Sequence, residues 1–243
     1  MQPRTLVFSI AINGYQWLYK DCIASHKKYA ENNGYHYQVV TRPYATIVGV
    51  ECCWLKLTLM LEALKAGYDD VFFVDADAFI NPIAPKLSSV FKPNKYLYMA
   101  KSYSGRYNSG VMLGKNCPKM CLWLQKVIAN RHINVDKVND VGWGENGHII
   151  QYAANCEFVT TIDRRWNNTY DPELKDYIRH FSFGPLRRSF GLNLSHKILA
   201  RLTRIFAEFQ SYSSRLTPSK ADQDSLVTLT QRVLKYYKIF SQI

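Results

Sequence analysis

The sequence predicts an α/β fold, a sheet flanked by helices on both faces, and three observations predict it. β-prone apolar segments alternate with segments of helical periodicity through the N-terminal part of the chain. Glycines stand where two of those helices must stop, at Gly34 and Gly67. Finally, Val71-Phe72-Phe73-Val74 runs straight into Asp75-Ala76-Asp77, a short buried strand ending in two carboxylates.

In chain order, residues 5–12 read as a strand, 17–33 as an amphipathic helix, 35–41 as a second strand, 54–65 as a helix and 71–74 as a third strand. That β-α-β-α-β order calls for parallel pairing with helices above and below. Residues 95–101 and 109–114 read as further strands, 118–130 as a helix, 142–154 as a Gly-rich turn entering a helix, and 158–162 as a short strand. Two helices are expected in the tail, 195–210 and 225–243, each with large apolar residues on one side and basic residues among or opposite them.

Composition narrows the class. A chain of 243 residues with 47% apolar and 14% aromatic residues suits one α/β domain, alone or with a helical appendage. It holds no apolar run of about 18 residues, the length a membrane-crossing helix needs. Met1-Gln2-Pro3-Arg4 leads directly into a strand without signal-peptide character, so a cytoplasmic enzyme is expected. The six cysteines fall in apolar helical or strand segments, which reads as buried thiols rather than disulfides. Cys117 and Cys121 have no partners that would complete a zinc set. Of the net charge of +12, residues 187–243 supply +7, from ten Lys and Arg against three Asp and Glu. A basic tail points to an anionic partner: nucleic acid, a phospholipid surface or a phosphate-bearing substrate.

The chemistry starts from Asp75 and Asp77. Bare carboxylates at the end of a buried strand are costly unless a cation meets them. A divalent ion carrying a diphosphate suits the carboxyl edge of a sheet; the plainer reading is a polar strand end. Lys56, in Trp54-Leu55-Lys56, is either a solvated charge or a cation aimed at phosphate. Asn108-Ser109-Gly110-Val111 is an ordinary turn, or one whose glycine lets backbone approach a ligand closely. Gly142-Trp143-Gly144-Glu145-Asn146 places an acid and an amide before a helix. Glu145 there either meets the helix dipole or faces a reacting sugar carbon, with Trp143 as a platform. Arg164-Arg165-Trp166-Asn167 is dense in groups that recognise sugars or phosphates. In His180-Phe181-Ser182-Phe183-Gly184-Pro185-Leu186-Arg187-Arg188, His180 is either a satisfied core or surface imidazole or the group that completes a metal site, with the arginines able to hold a diphosphate.

Taken in order, these motifs resemble a GT-A fold glycosyltransferase, most closely the galactosyl transferase GMA12/MNN10 family and more distantly the glycogenin-like retaining enzymes. The resemblance spans roughly residues 5–188. It implies a GT-A catalytic domain over 1–188, a Rossmann-like mixed sheet flanked by helices, followed by a basic helical extension over 189–243. It implies Mn²⁺ or Mg²⁺ held by Asp75, Asp77 and His180. It implies a nucleotide-sugar donor, UDP-linked in first place, bound by Ala11, Asn13, Tyr15, Lys56, Asp75, Ala76, Asp77, Asn108, Gly184 and Arg187. Glu145 and Asn146 become the catalytic pair, and Trp143, Trp166 and Asn167 the acceptor side, for a glycan or lipid-linked glycan. Family members of this kind retain anomeric configuration. The chain departs from the pattern in three places. Glu145-Asn146 stands where the family has Asp-Gln, Gly184 falls one residue later than the usual spacing from His180, and only Arg187 matches a phosphate-binding lysine.

Two other classes fit less well. A sugar nucleotidyltransferase needs a Gly-rich basic loop after the first strand, which Ala11-Ile12-Asn13-Gly14-Tyr15 is not. A nucleic-acid module would have to bring phosphates to Asp75, Asp77 and Glu145, which repel them without a metal. No nucleic-acid partner is therefore expected; the two tail helices either pack on the domain through their apolar faces or make a peripheral membrane contact.

Overall fold

Alternation along the central strands decides which side chains enter which layer. The computed structural model describes residues 3–44, 46, 51–142, 144–191, 194–215 and 225–241. Within them the chain order is β1 (Thr5–Ile10), α1 (Tyr15–Leu18), α2 (Lys20–Asn33), β2 (His36–Val40), α3 (Glu51–Lys65), β3 (Asp70–Val74) and β4 (Ala78–Ile80). There follow β5 (Leu97–Ala100), β6 (Val111–Lys115), α4 (Pro118–Ala129), α5 (Asn146–Ala153), β7 (Val159–Ile162), β8 (Ile178–His180), α6 (Gly184–Ser189), α7 (Leu194–Arg215) and α8 (Ser225–Tyr236).

Six strands form one sheet in the order β2-β1-β3-β6-β5-β7. The β-α-β-α-β run gives the expected parallel pairs β1–β2 and β1–β3. β6 then runs antiparallel to both β3 and β5, and β5 pairs parallel with β7. The sheet is mixed. Leu6, Phe8, Val71 and Phe73 face one layer with α3, α4 and α8. Val7, Phe72, Val74 and Tyr98 face the other, with Tyr29 and Ala30 of α2. A sheet buried on both faces has near-continuous apolar strands, which is how β3 reads. Each of these fully buried large side chains contributes roughly 2 kcal/mol through the apolar area it takes out of water.

The long first helix predicted from periodicity is two helices. Tyr19 leaves the helical region (φ −115°, ψ 31°) between α1 and α2, and its ring packs with Cys22, Phe181 and Leu186. Packing against the far end of the chain overrides local periodicity there. Of the six cysteines, expected to be buried, Cys22 is fully buried and the others are partly so.

The two tail helices pack differently. Leu226, Leu229 and Val233 of α8 join the main core, and Phe240 meets Phe8 edge-on at 5.4 Å. α7 instead lies against α1 through Ala200, whose Cα is 2.6 Å from where a side chain on Gly14 would begin. Its large apolar residues Leu202, Phe206 and Phe209 stay 55%, 56% and 69% exposed. Among the described residues no helix is long and apolar enough to cross a membrane.

Candidate active site

β3 delivers Asp75 to the carboxyl edge of the sheet, and a turn closed by Ala78 N–H to Asp75 O at 3.0 Å carries Asp77 onto β4. The small β4–β8 sheet then brings in the third residue. Ala78 pairs directly with His180, and Phe181 N–H donates to Asp77 O at 2.9 Å. The ligand atoms of Asp75, Asp77 and His180 lie within 4.8 Å of one another. His180 Nε2 is 3.2 Å from Asp77 Oδ1 and 3.7 Å from Asp75 Oδ2.

The surroundings fit a divalent cation. His180 Nδ1 lies 2.9 Å from Asn167 Oδ1, so Nδ1–H donates there and Nε2 is left facing the carboxylates. Asn167 is fixed in turn by donating to Asn108 Oδ1 at 2.8 Å. The cradle has no room to spare: a Cβ on Gly110 would sit 2.2 Å from His180 Cε1 and 2.7 Å from Asp75 Oδ2. Two carboxylate oxygens and an imidazole nitrogen are a donor set that a divalent cation can use.

The charges respond to this crowding. Burial pushes Asp75 up to about 6, with Lys56 pulling the other way. Burial also opposes charge on Asp77 and His180, but their mutual attraction and hydrogen bond outweigh it. Asp77 is held below the ordinary carboxylate range and His180 above the ordinary imidazole one.

These residues floor a cavity of about 660 Å³ that Asn13, Tyr15, Lys56, Ala76, Asn108 and Glu145 also line. Lys56 is buried, with Nζ 2.9 Å from Glu145 Oε1, 3.4 Å from Asp75 Oδ1 and 3.4 Å from Ser109 O. Glu145 precedes α5 without making a side-chain cap; its Oε1 instead accepts from Ser109 Oγ at 2.6 Å. Asn146 fastens the turn before β6, accepting from Ser109 N–H at 2.8 Å and donating to Tyr107 O at 3.2 Å. Burial, then Glu145, pushes the neighbouring Cys53 thiol up to about 12, so Cys53 stays protonated.

Other expected positions fall less simply. Arg187 lines the cleft and donates to Ser182 O at 2.8 Å. Gly184 adopts φ +69°, and a Cβ there would come to 3.4 Å from the Tyr170 ring. Ala11 is fully buried, and its N–H donates to Val40 O. Trp166 is corrected from an acceptor platform to a core residue: its ring is 2% exposed and packs against Phe72 and Tyr177. Asn167 is likewise buried, and it orients His180 rather than reaching the cleft. Trp143 lies outside the described residues.

Some residues of the site escaped the sequence reading. Gly110 is read there as approaching a ligand; it makes room for His180 and Asp75 instead. His26, buried on α2, accepts from Ser9 Oγ at 2.7 Å through Nδ1 and donates through Nε2 to Ala78 O at 2.5 Å, bracing the turn that carries Asp77. Nothing in its local sequence marks it. Arg204 of α7 reaches back to the cleft rim, 3.4 Å from Asn13 O and over the Tyr15 ring.

Fold and site together define a class, the GT-A-like glycosyltransferase fold with an acidic turn and a histidine at the carboxyl edge of its sheet. No protein-family profile matches the chain, and no curated protein matches it in sequence. Among solved structures the chain is similar to a glycosyltransferase involved in the glycosylation of the major capsid of PBCV-1. The TM-score is 0.59 at 14% identity, over 84% of this chain and 100% of that one. It is also similar to the glycosyltransferase GlyE of Streptococcus pneumoniae TIGR4, with TM-score 0.45 and 14% identity over 91% of this chain and 66% of that one. Mouse xyloside xylosyltransferase 1 follows, at TM-score 0.43 and 11% identity over 73% and 97%. The first likeness shows the fold; the two weaker ones carry no argument of their own.

Proposed function

We propose that the chain is a metal-dependent, retaining glycosyltransferase. It moves a hexose or pentose from a nucleotide-diphosphate sugar, a UDP-sugar in first place, to a hydroxyl of a glycan or glycolipid. The observation that supports this most is the convergence of Asp75, Asp77 and His180 on the floor of the cleft, beside the buried Lys56–Glu145 pair. Bound by the three, Mn²⁺ or Mg²⁺ would hold the diphosphate and offset the charge that builds on it as it leaves.

The chain's own groups divide the remaining work. Asn13 and Tyr15, which follow β1, line the cleft and would meet the base and ribose. Arg187 supplies a guanidinium for the departing phosphates. Glu145 faces the anomeric carbon, where its carboxylate favours the positive charge that develops as the bond to the diphosphate lengthens. The acceptor oxygen bonds to that carbon from the side the diphosphate vacates. The electron pair of the broken bond leaves with the nucleoside diphosphate, and the acceptor proton passes to a phosphate oxygen.

A second reading concerns the tail as a peripheral membrane contact for a lipid-linked acceptor. Its support is α7, where exposed apolar residues share a helix with Lys197, Arg201 and Arg204.

A thermal-shift screen of UDP- and GDP-sugars, each with and without Mn²⁺, tests the enzyme reading, since a ligand bound only by the folded state raises its stability. A metal-dependent rise with one nucleotide sugar is expected. No rise with any of them would remove the reading.

A further inference from the structure

Three aromatic rings from distant parts of the chain meet at the mouth of the cleft. Tyr103 stacks on Tyr170 with ring centroids 5.0 Å apart and planes 28° apart, and Phe183 meets Tyr103 at 5.4 Å and 51°. Despite both contacts Tyr103 is 66% exposed. Tyr103 and Phe183 line the same cavity as the Asp75, Asp77 and His180 group. We propose that Tyr103, backed by Tyr170 and Phe183, is a stacking platform for a pyranose ring of the acceptor. The word acceptor rests on the glycosyltransferase reading; the sugar-binding platform itself does not.

The platform is built rather than incidental. Tyr103 sits in a tight loop between β5 and β6, closed by the Lys101–Tyr107 bridge and by Ser102 N–H donating to Arg106 O at 2.9 Å. Arg106 ties that loop down, donating to Val138 O at 3.3 Å and Asp140 O at 3.1 Å. Tyr170 is held by its N–H donating to Asn168 Oδ1 at 3.2 Å. Gly184, at φ +69°, lies beside the Tyr170 ring, close enough that a Cβ there would touch it at 3.4 Å. Tyr170 and Phe183 thus both meet the Tyr103 ring, which keeps most of its surface open.

The chemistry selects a sugar. One face of a pyranose carries C–H groups, polarised by the neighbouring oxygens, while hydroxyls edge the ring. The negative face of a phenol ring attracts such C–H groups, and the contact removes apolar surface of both from water. Polar groups stand where the hydroxyl edge needs partners. Ser102 Oγ and Ser104 Oγ lie on the rim, 2.8 Å apart. Ser182 Oγ is buried with no hydrogen-bond partner among the described residues, and Ser182 lines the cavity beside Phe183. An apolar floor with a few convergent polar groups is the make-up of a small-ligand site.

The test is saturation-transfer NMR on the full chain with methyl glycosides of glucose, galactose, mannose and xylose and with their common disaccharides, no nucleotide being present. Wild type, Tyr103→Ala and Tyr103→Phe are compared; Tyr103 is exposed, so both variants should fold. Transfer to the C–H protons of one sugar face is expected in wild type. Affinity should fall roughly tenfold in Tyr103→Ala and stay close to wild type in Tyr103→Phe. Equal binding by wild type and Tyr103→Ala, or no binding of any sugar in the panel to wild type, overturns the platform. Nucleotide-sugar binding with Mn²⁺ is measured on the same samples and should be unchanged in Tyr103→Ala. Its absence from every sample, with glycosides still bound through Tyr103, would sink the transferase reading and leave the platform standing.

Discussion

Lys56 Nζ lies 2.9 Å from Glu145 Oε1, and both side chains are buried. One ion pair thus fastens the helix that precedes the acidic strand to the turn that precedes α5, and Asp75 at 3.4 Å draws the metal group into the same network. Burial works against the charge on Lys56, but Asp75 and then Glu145 outweigh it and raise its pKa. Removing one member of a buried pair strands the other. Lys56→Met should therefore destabilise the fold by about 3 kcal/mol, and Lys56→Met with Glu145→Gln should recover much of that loss. Urea unfolding of the four proteins checks the cycle. Glu145→Gln alone should lose transfer by about a hundredfold while keeping donor affinity; unchanged turnover would take Glu145 out of the chemistry.

Asp75→Asn and Asp77→Asn should each abolish Mn²⁺ binding, as calorimetry would show. Chelation of wild type should reproduce their loss of transfer, and metal-replete buffer should not rescue the variants. Either variant with wild-type turnover would place the site elsewhere.

Gly110→Ala probes the cradle without touching a ligand. The added carbon, 2.2 Å from His180 Cε1, forces the imidazole away from the carboxylates. Mn²⁺ affinity should drop by at least about tenfold, or about 1.4 kcal/mol, with a lowered Tm. Retained affinity would mean that the ring can shift without leaving the metal group.

His26 gives the fold an acid sensitivity. Burial lowers its pKa from 6.5 to about 4. Between those values the unfolded chain binds the proton and the folded one does not, so stability is complete above pH 6.5 and falls as pH drops toward 4. From pH 7 to pH 5 this one group should remove about 2 kcal/mol. His26→Gln should flatten that part of the pH profile in urea unfolding, and an unchanged slope would show the ring charged in the fold.

The exposed face of α7 should hold the protein on anionic vesicles. Flotation with phosphatidylglycerol vesicles should recover wild type, and each basic residue near the surface contributes about 1 kcal/mol. Phe206→Asp and Leu202→Asp should release it, as should neutral phosphatidylcholine. Equal recovery of the variants would leave α7 without this role.

Much of the site is legible in the primary structure because strong local signals mark it. Four apolar residues before Asp75 leave little but a buried strand, and Gly34 and Gly67 stop helices where the periodicity ends. His180 is legible only by its neighbours; its place opposite Ala78 depends on strands of three residues, too short for an alternation pattern to show. Trp166 misled for a related reason. An aromatic beside arginines looks like a sugar platform, yet its ring is core, and the rings at the cleft mouth are Tyr103, Tyr170 and Phe183, which no local motif connects.

By itself the sequence determined the α/β class, the order of the first elements, the acidic strand end and the basic tail. Each depends on neighbours along the chain, where periodicity, stop residues and charge act locally. Only the tertiary structure decided that β6 turns the sheet antiparallel, that Lys56 is matched to Glu145, and that Gly110 makes room for His180. It also decided that α8 is core while α7 keeps its apolar face in water. Those outcomes follow from contacts between residues far apart in sequence, where burial makes each charge depend on the partner that folding brings to it.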